Sequence, residues 1–534
     1  MKHKAILSAL IMATSLFSLP GLADTATPQP GVTPQRGGTL NFLAEPEPPV
    51  LTSLVSTSGA VMKVNAKVIE GLLDYDFNMN PVPQLATSWS VSPDGKAYTF
   101  HLRQGVKWHD GKDFTSADVA FSILTVKQYN SRGKGTFANV TEVKTPDPYT
   151  AIIELSQPAP YLLSAFSANE APMVPKHLYE GTNILSNPHN TAPIGTGPFV
   201  FKEWVRGSHI LYERNPNYWD QPKPYIDRLV VKIIPDAATR TIALETGALD
   251  LGSDTPIPMS EIESIKKNPK LGIETRGYGY SPTQTRIEFD LDNPYLKNLK
   301  VRQAIAHSIN LDVLKKVVWY GYASNSPTGI TPELTQFHDS TPSPYNFDIA
   351  KANKLLDEAG FPRQANGIRF QLVHDFMPYG DSFKRVAEYL KSALAKVGID
   401  VTIRSQDFAT FVKRVYTDRD FDFNNGSISN LFDPAVGVQR LYWSKTYSPG
   451  VPFGNGSHYS NPEVDRLLEQ AAVETDQAKR VELYKQFQRI IATEIPDLNL
   501  LQINRLTIYN KHVHGFINGI QGVNGSLADV WIEQ

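Results

Sequence analysis

His512 and His514 stand two residues apart in a β-forming run, so a strand would turn both imidazoles to one face and offer two nitrogens to a metal ion. Without a third ligand such a pair makes a poor site, and solvated surface histidines are the plainer reading. Ser131-Arg132-Gly133-Lys134-Gly135-Thr136 looks like a phosphate loop. It fails the spacing test, because Gln128 stands where the first glycine belongs and Gly135 stands where a hydroxyl residue should follow the lysine. Asn-Gly-Ser triplets at 425–427, 455–457 and 524–526 supply serines, but no G-x-S-x-G elbow surrounds them and they read as turns. There is no H-E-x-x-H and no cysteine, which removes thiolate nucleophiles, thiolate metal sites and disulfides. A complete set for turnover is therefore missing. No metal or cofactor is expected, and the chemistry that remains is recognition: a few polar groups converging in a mostly apolar cleft.

The elements that would hold such groups are well marked. At 534 residues the chain exceeds one ordinary core, and 41% apolar with 20% charged residues is a globular composition. A formal net charge of -2 leaves no footprint for nucleic acid. Lys2 and Lys4, the apolar run 5–19 and Gly21-Leu22-Ala23 form the three parts of a cleavable export signal, residues 1–23. That run is short for a hydrocarbon core of about 30 Å, and no cysteine follows it to carry a lipid, so no membrane anchor is expected. Further on, Asp348 caps a helix that stops at Gly360, and Asn461-Pro462 and Asp476 open two more. Apolar spacing predicts helices over 61–73 and 381–397, and alternation predicts a strand over 498–509. Alternating strands and helices after residue 285 argue for a layered α/β lobe.

Residues 85–122 are the densest stretch. Pro93-Asp94-Gly95 is a turn between two β-forming runs, Asp110-Gly111 is a second, and Thr115 or Ser116 caps a helix with Asp118 in its first turn. The order of Leu85-Ala86, Trp89, Asp94-Gly95, Tyr98-Thr99-Phe100, Leu102-Arg103, the run 105–111, Phe114 and Asp118-Val119 closely resembles the signature of bacterial extracellular solute-binding proteins of family 5. These are the peptide, nickel and opine binders of ABC importers. Ile194-Gly195-Thr196-Gly197-Pro198-Phe199 and Arg214-Asn215-Pro216-Asn217-Tyr218-Trp219 are similar to further motifs of that family.

The resemblance implies a large two-lobe α/β periplasmic binding protein of type II, three-subdomain class, with the ligand cleft between the lobes. The first lobe would comprise 24–60, 191–284 and 500–534, with 61–190 inserted as a subdomain, and the second lobe 285–499. Cleft residues would come from the loop holding Glu45, from a segment with Phe376, Met377 and Tyr379, and from one with Ile428, Asn430, Phe432 and Asp433. In dipeptide- and oligopeptide-binding relatives an aspartate captures the ammonium at the position of Asn430, and in dipeptide binders an arginine captures the carboxylate at that of Met377. Asp375 or Asp433 could supply the anionic role instead, although an aspartate before Pro434 is equally an N-cap. The expected function is periplasmic capture of a peptide or peptide-like solute by a soluble monomer that delivers it to an inner-membrane permease. A metal chelate, opine or glycoside is the alternative cargo. A secreted hydrolase is the reading from another class.

Overall fold

The computed structural model describes residues 33–341, 343–378 and 380–533, so the export signal and Tyr379 lie outside the described residues. Two sheets organise the chain. A seven-stranded sheet runs in the order Leu271–Glu274, Thr507–Asn510, Leu251–Gly252, Thr39–Ala44, Arg228–Ile233, His209–Arg214 and Phe199–Val205. A six-stranded sheet runs Ala323–Asn325, Asp497–Ile503, Thr283–Phe289, Phe423–Ser429, Phe370–Phe376 and Ile399–Arg404. Each is the centre of one lobe of a two-lobe α/β fold, and each has its own apolar core. The chain passes between the sheets at 275–282 and again at 504–506. The strand expected over 498–509 is thus two strands in different sheets, because the ladder of the second lobe ends at Ile503 and the partner of Thr507 is Glu274 in the first.

Strands Ala86–Val91, Ala97–Leu102, Thr150–Leu155 and Val140–Asp147 make a four-stranded sheet that shares the core of the first lobe. The Pro93-Asp94-Gly95 turn forms as its residues require: Gly95 takes φ 67° and Asp94 accepts from Ser92 Oγ. Around the Asp110-Gly111 turn a single bridge, Lys107 to Asp113, is present. The helix expected over 61–73 covers Gly59–Asn65. It stops because the carbonyls of Lys67 and Val68 accept from Phe199 and Gly197 of the glycine loop, so they cannot continue an α-helical ladder. A Cβ on Gly195 would lie 1.8 Å from the Val68 carbonyl oxygen, which is why the loop is glycine there. Glu70, wholly buried, ties the motifs together by accepting from Thr196 (2.8 Å), Tyr218 (2.9 Å) and Trp219 (3.0 Å).

In the second lobe the caps fall where the sequence puts them. Asp348 accepts from Lys351 N ahead of Ile349–Glu358, and Asp476 accepts from Ala478 N ahead of Gln477–Glu494. Gly360 follows at φ 87°. Asn425-Gly426-Ser427 is not a turn but the middle of Phe423–Ser429, whose antiparallel partner Thr283–Phe289 supplies a full ladder and overrides the local turn propensity. Among the described residues no helix is long and apolar enough to cross a membrane.

Candidate ligand-binding site

A cavity of about 1020 Å³ opens between the lobes, a size suited to a small organic solute. Its first-lobe wall includes Thr57, Arg132, Asn139, Gln157 and Tyr161. Arg132 belongs to the false phosphate loop, and the loop's geometry explains how it is presented. Asn130 Oδ1 accepts from the backbone N–H of both Arg132 and Gly133, an Asx turn, while Asn130 Nδ2 donates to Ser53 O at 2.7 Å. The turn launches a single helical turn, Gly133–Thr136, and leaves Arg132 facing the cleft. Its guanidinium is ion-paired with the buried Glu170. Burial pushes the Glu170 carboxyl up, and Arg132 beside it works in the opposite direction.

The second-lobe wall begins on Phe423–Ser429 with Ser427, Ile428 and Ser429 and continues through Arg440, Trp443 and Phe453. Two short helices follow the strand, Pro434–Gly437 and Gln439–Tyr442, of which the second carries Arg440 and is followed directly by Trp443. Asp433 starts the first of them. Its Oδ1 accepts from Ala435 N at 2.9 Å, and its two oxygens take Arg480 at 2.6 and 2.9 Å in a pair that is almost completely buried. Arg440 Nη1 donates to Phe453 O at 2.5 Å. Burial, together with the nearby Arg286 and Arg132, holds the Arg440 guanidinium down to about 10, so it stays charged at neutral pH.

The residues anticipated from sequence divide. Met377 and Ile428 line the cavity. Phe376 is buried behind Met377 in a satellite core with Phe383 and Phe411. Phe432 is buried against Tyr280, ring centroids 5.3 Å apart, and packs with Leu431 into the core of the first lobe although its chain belongs to the second. Asn430 is wholly buried: its Oδ1 accepts from Thr331 N at 2.7 Å, its backbone N–H donates to Pro282 O, and its Nδ2 has no partner. Glu45 is half-buried away from the cavity lining, its carbonyl accepting from Lys63 Nζ at 3.0 Å. Lys63 also pairs with Asp254, which Arg505 holds from the other side. Burial pushes Asp254 up, but Lys63 and Arg505 outweigh it and bring it down to about 2. Asp375 has no solvent exposure and is closed off by Arg404 at 2.6 Å and Arg414 at 3.3 Å. His512 and His514 go to different carboxylates, Asp250 and Glu533.

Arg132, Arg440, Trp443 and Phe453 were not anticipated. The sequence signal was there in part: Gln439-Arg440-Leu441-Tyr442-Trp443 sets a cation among aromatics just after a capped helix start, a combination common in binding surfaces. Arg132 lies in a stretch whose spacing departs from that of a phosphate loop, and nothing in its local sequence marks it for the cleft.

Residues 80–450 match the family described as bacterial extracellular solute-binding proteins, family 5 Middle. The dipeptide-binding protein of Escherichia coli (strain K12) is 27% identical over 503 residues, covering 90% of this chain and 92% of that protein. NikZ from Campylobacter jejuni in complex with Ni(L-His) superposes with a TM-score of 0.78 at 26% identity, covering 92% of this chain and 97% of that one. The binding protein AgaA in complex with agropinic acid, from A. tumefaciens R10, gives 0.74 at 26% identity, covering 93% and 99%.

Proposed function

The chain belongs to the bacterial extracellular solute-binding proteins of family 5, and from that premise we propose that it captures a peptide or peptide-like solute in the cleft between its lobes for delivery to an ABC importer. The observation that supports this most is the cavity of about 1020 Å³, whose two walls come from different lobes joined by two chain passages. A solute touching both walls favours the closed arrangement, and a permease can then distinguish loaded from empty protein. In this reading 1–23 is a cleaved export signal, the mature protein works as an unanchored periplasmic monomer, and the solute leaves unchanged. The passages at 275–282 and 504–506 serve as the hinge, and Met377 and Ile428 contribute to the cleft.

A second reading, capture of a non-peptide cargo such as a metal chelate, an opine or a glycoside, has one observation in its favour. Asp375 and Asp433 are both engaged with arginines, so neither is free to receive a peptide ammonium. Native mass spectrometry of gently purified protein separates the readings by the mass of any retained solute. Incubation of that solute with the protein should return it intact; a product would put an enzyme in place of a carrier. A solute that binds should also raise the unfolding temperature in proportion to the logarithm of its concentration.

A further inference from the structure

The charge inventory of the cavity is unusually simple. Among the described residues that line it, Arg132 and Arg440 are the only charged side chains, and no carboxylate is present. Arg132 is balanced by Glu170. Arg440 is not: its side chain donates to a neutral carbonyl, that of Phe453, and the charges acting on it from Arg286 and Arg132 are of its own sign. The carboxylates nearest to Arg286 are taken up locally, Glu288 at 2.8 Å and Asp497 at 2.9 Å, with Tyr442 donating to Asp497 and Tyr416 to Glu288. A half-buried guanidinium with most of its donors free is costly to hold and is a ready receptor for a carboxylate, which it can grip with two parallel bonds.

An ammonium finds the opposite. Asp375, Asp433 and Glu170 are each committed to arginine, and Asn430 offers a neutral amide whose oxygen already serves Thr331. Trp443, Phe453, Tyr161, Ile428 and Met377 supply apolar surface for an uncharged body.

Resting on the solute-capture reading above, we propose that the cleft selects organic monoanions, solutes with a carboxylate for Arg440 and no ammonium group, of which an N-acylated peptide or amino acid is the model. The matched probes are leucyl-leucine, its N-acetyl derivative, its amide and the N-acetyl amide, which present the same body as zwitterion, anion, cation and neutral molecule. Titration calorimetry on the full mature protein should find the N-acetyl acid bound at least about tenfold more tightly than the N-acetyl amide and than leucyl-leucine itself, the size of a charge-assisted hydrogen bond lost or left facing no partner. In Arg440→Gln the ratio of acid to amide should fall to about one, while in Glu170→Gln, which unbalances Arg132, it should rise. Reading ratios within one variant keeps the test independent of any change in fold stability. The proposal is overturned if the zwitterion or the cation binds as tightly as the anion, or if the preference for the anion survives in Arg440→Gln. Should none of the four bind, the solute retained on purification decides: an amine-free acid supports the proposal, and a zwitterion, cation or neutral solute overturns it while leaving solute capture intact. An empty protein that binds none of the probes counts against solute capture itself.

Discussion

On the first-lobe wall of the cleft Arg132 lies against Glu170, whereas on the second-lobe wall Arg440 donates to a backbone carbonyl and has no carboxylate beside it. The supports behind the walls differ in the same sense. The first wall stands on an Asx turn with neutral bonds from Asn130. The second stands on a buried ion pair, Asp433 with Arg480, that fixes the start of the helix leading to Arg440. Charge in the second lobe is thus doing two separate tasks, one closed and structural, the other open to the cleft. Proximity to the ligand segment does not tell them apart; only the partners do.

Substitutions can break this contrast, and the largest effect belongs to the closed pair. Asp433→Asn leaves Arg480 buried without a counter-charge and should lower stability by about 3–5 kcal/mol in urea unfolding. If Asp433 were instead a ligand contact, solute affinity would fall while the unfolding midpoint stayed in place.

The lobes should next differ in the sign of their pH response. In the second lobe, burial holds His374, stacked on Phe423, down to about 3 from 6.5. The unfolded chain then takes up a proton that the folded one refuses, so stability falls as pH drops from 6.5 towards 3, by up to about 1.4 kcal/mol per pH unit. In the first lobe, burial raises Glu70 from 4.5 to about 7 against the hydrogen bonds from Trp219, Thr196 and Tyr218 and the charge of Arg103. There the folded state holds the proton, and stability falls as pH rises from 4.5 to about 7. Thermal unfolding across pH should show His374→Phe flattening the acid limb and Glu70→Gln flattening the neutral limb. An unchanged profile in either variant would remove that residue from the account.

The smallest effects concern the wall surfaces themselves. Trp443→Ala on the second wall removes the largest aromatic face and should weaken solute binding by about tenfold, whereas Gln157→Ala on the first should change it by less than about threefold. Equal losses, measured by calorimetry, would mean that the two walls share the solute evenly.

Much of the architecture was legible because its causes are local. The caps at Asp348, Asn461 and Asp476 and the turn at Pro93-Asp94-Gly95 involve partners within four residues, and each forms as read. The failures are equally instructive. The helix expected over 61–73 ends at Asn65 because a loop more than a hundred residues away takes its carbonyls, and the Asn425-Gly426-Ser427 turn becomes strand because Thr283–Phe289 lies beside it. In the candidate site the resemblance led to Met377 and Ile428, but it also led to Phe432 and Asn430, which the fold uses to join the lobes and to pin the loop at Thr331.

Taken alone, the sequence determined the class of fold and the kinds of group available: arginines, aromatics and carboxylates in the segments that approach the cleft. It also placed a neutral amide, Asn430, in the second of those segments. Which carboxylates remained free was decided only by tertiary structure. Arg404 reaches Asp375 across 29 positions and Arg480 reaches Asp433 across 47, while no acid reaches Arg440 among the described residues. Whether a charge is neutralised depends on the distance to its partner and on the water excluded around both, and neither quantity is written in the order of the residues.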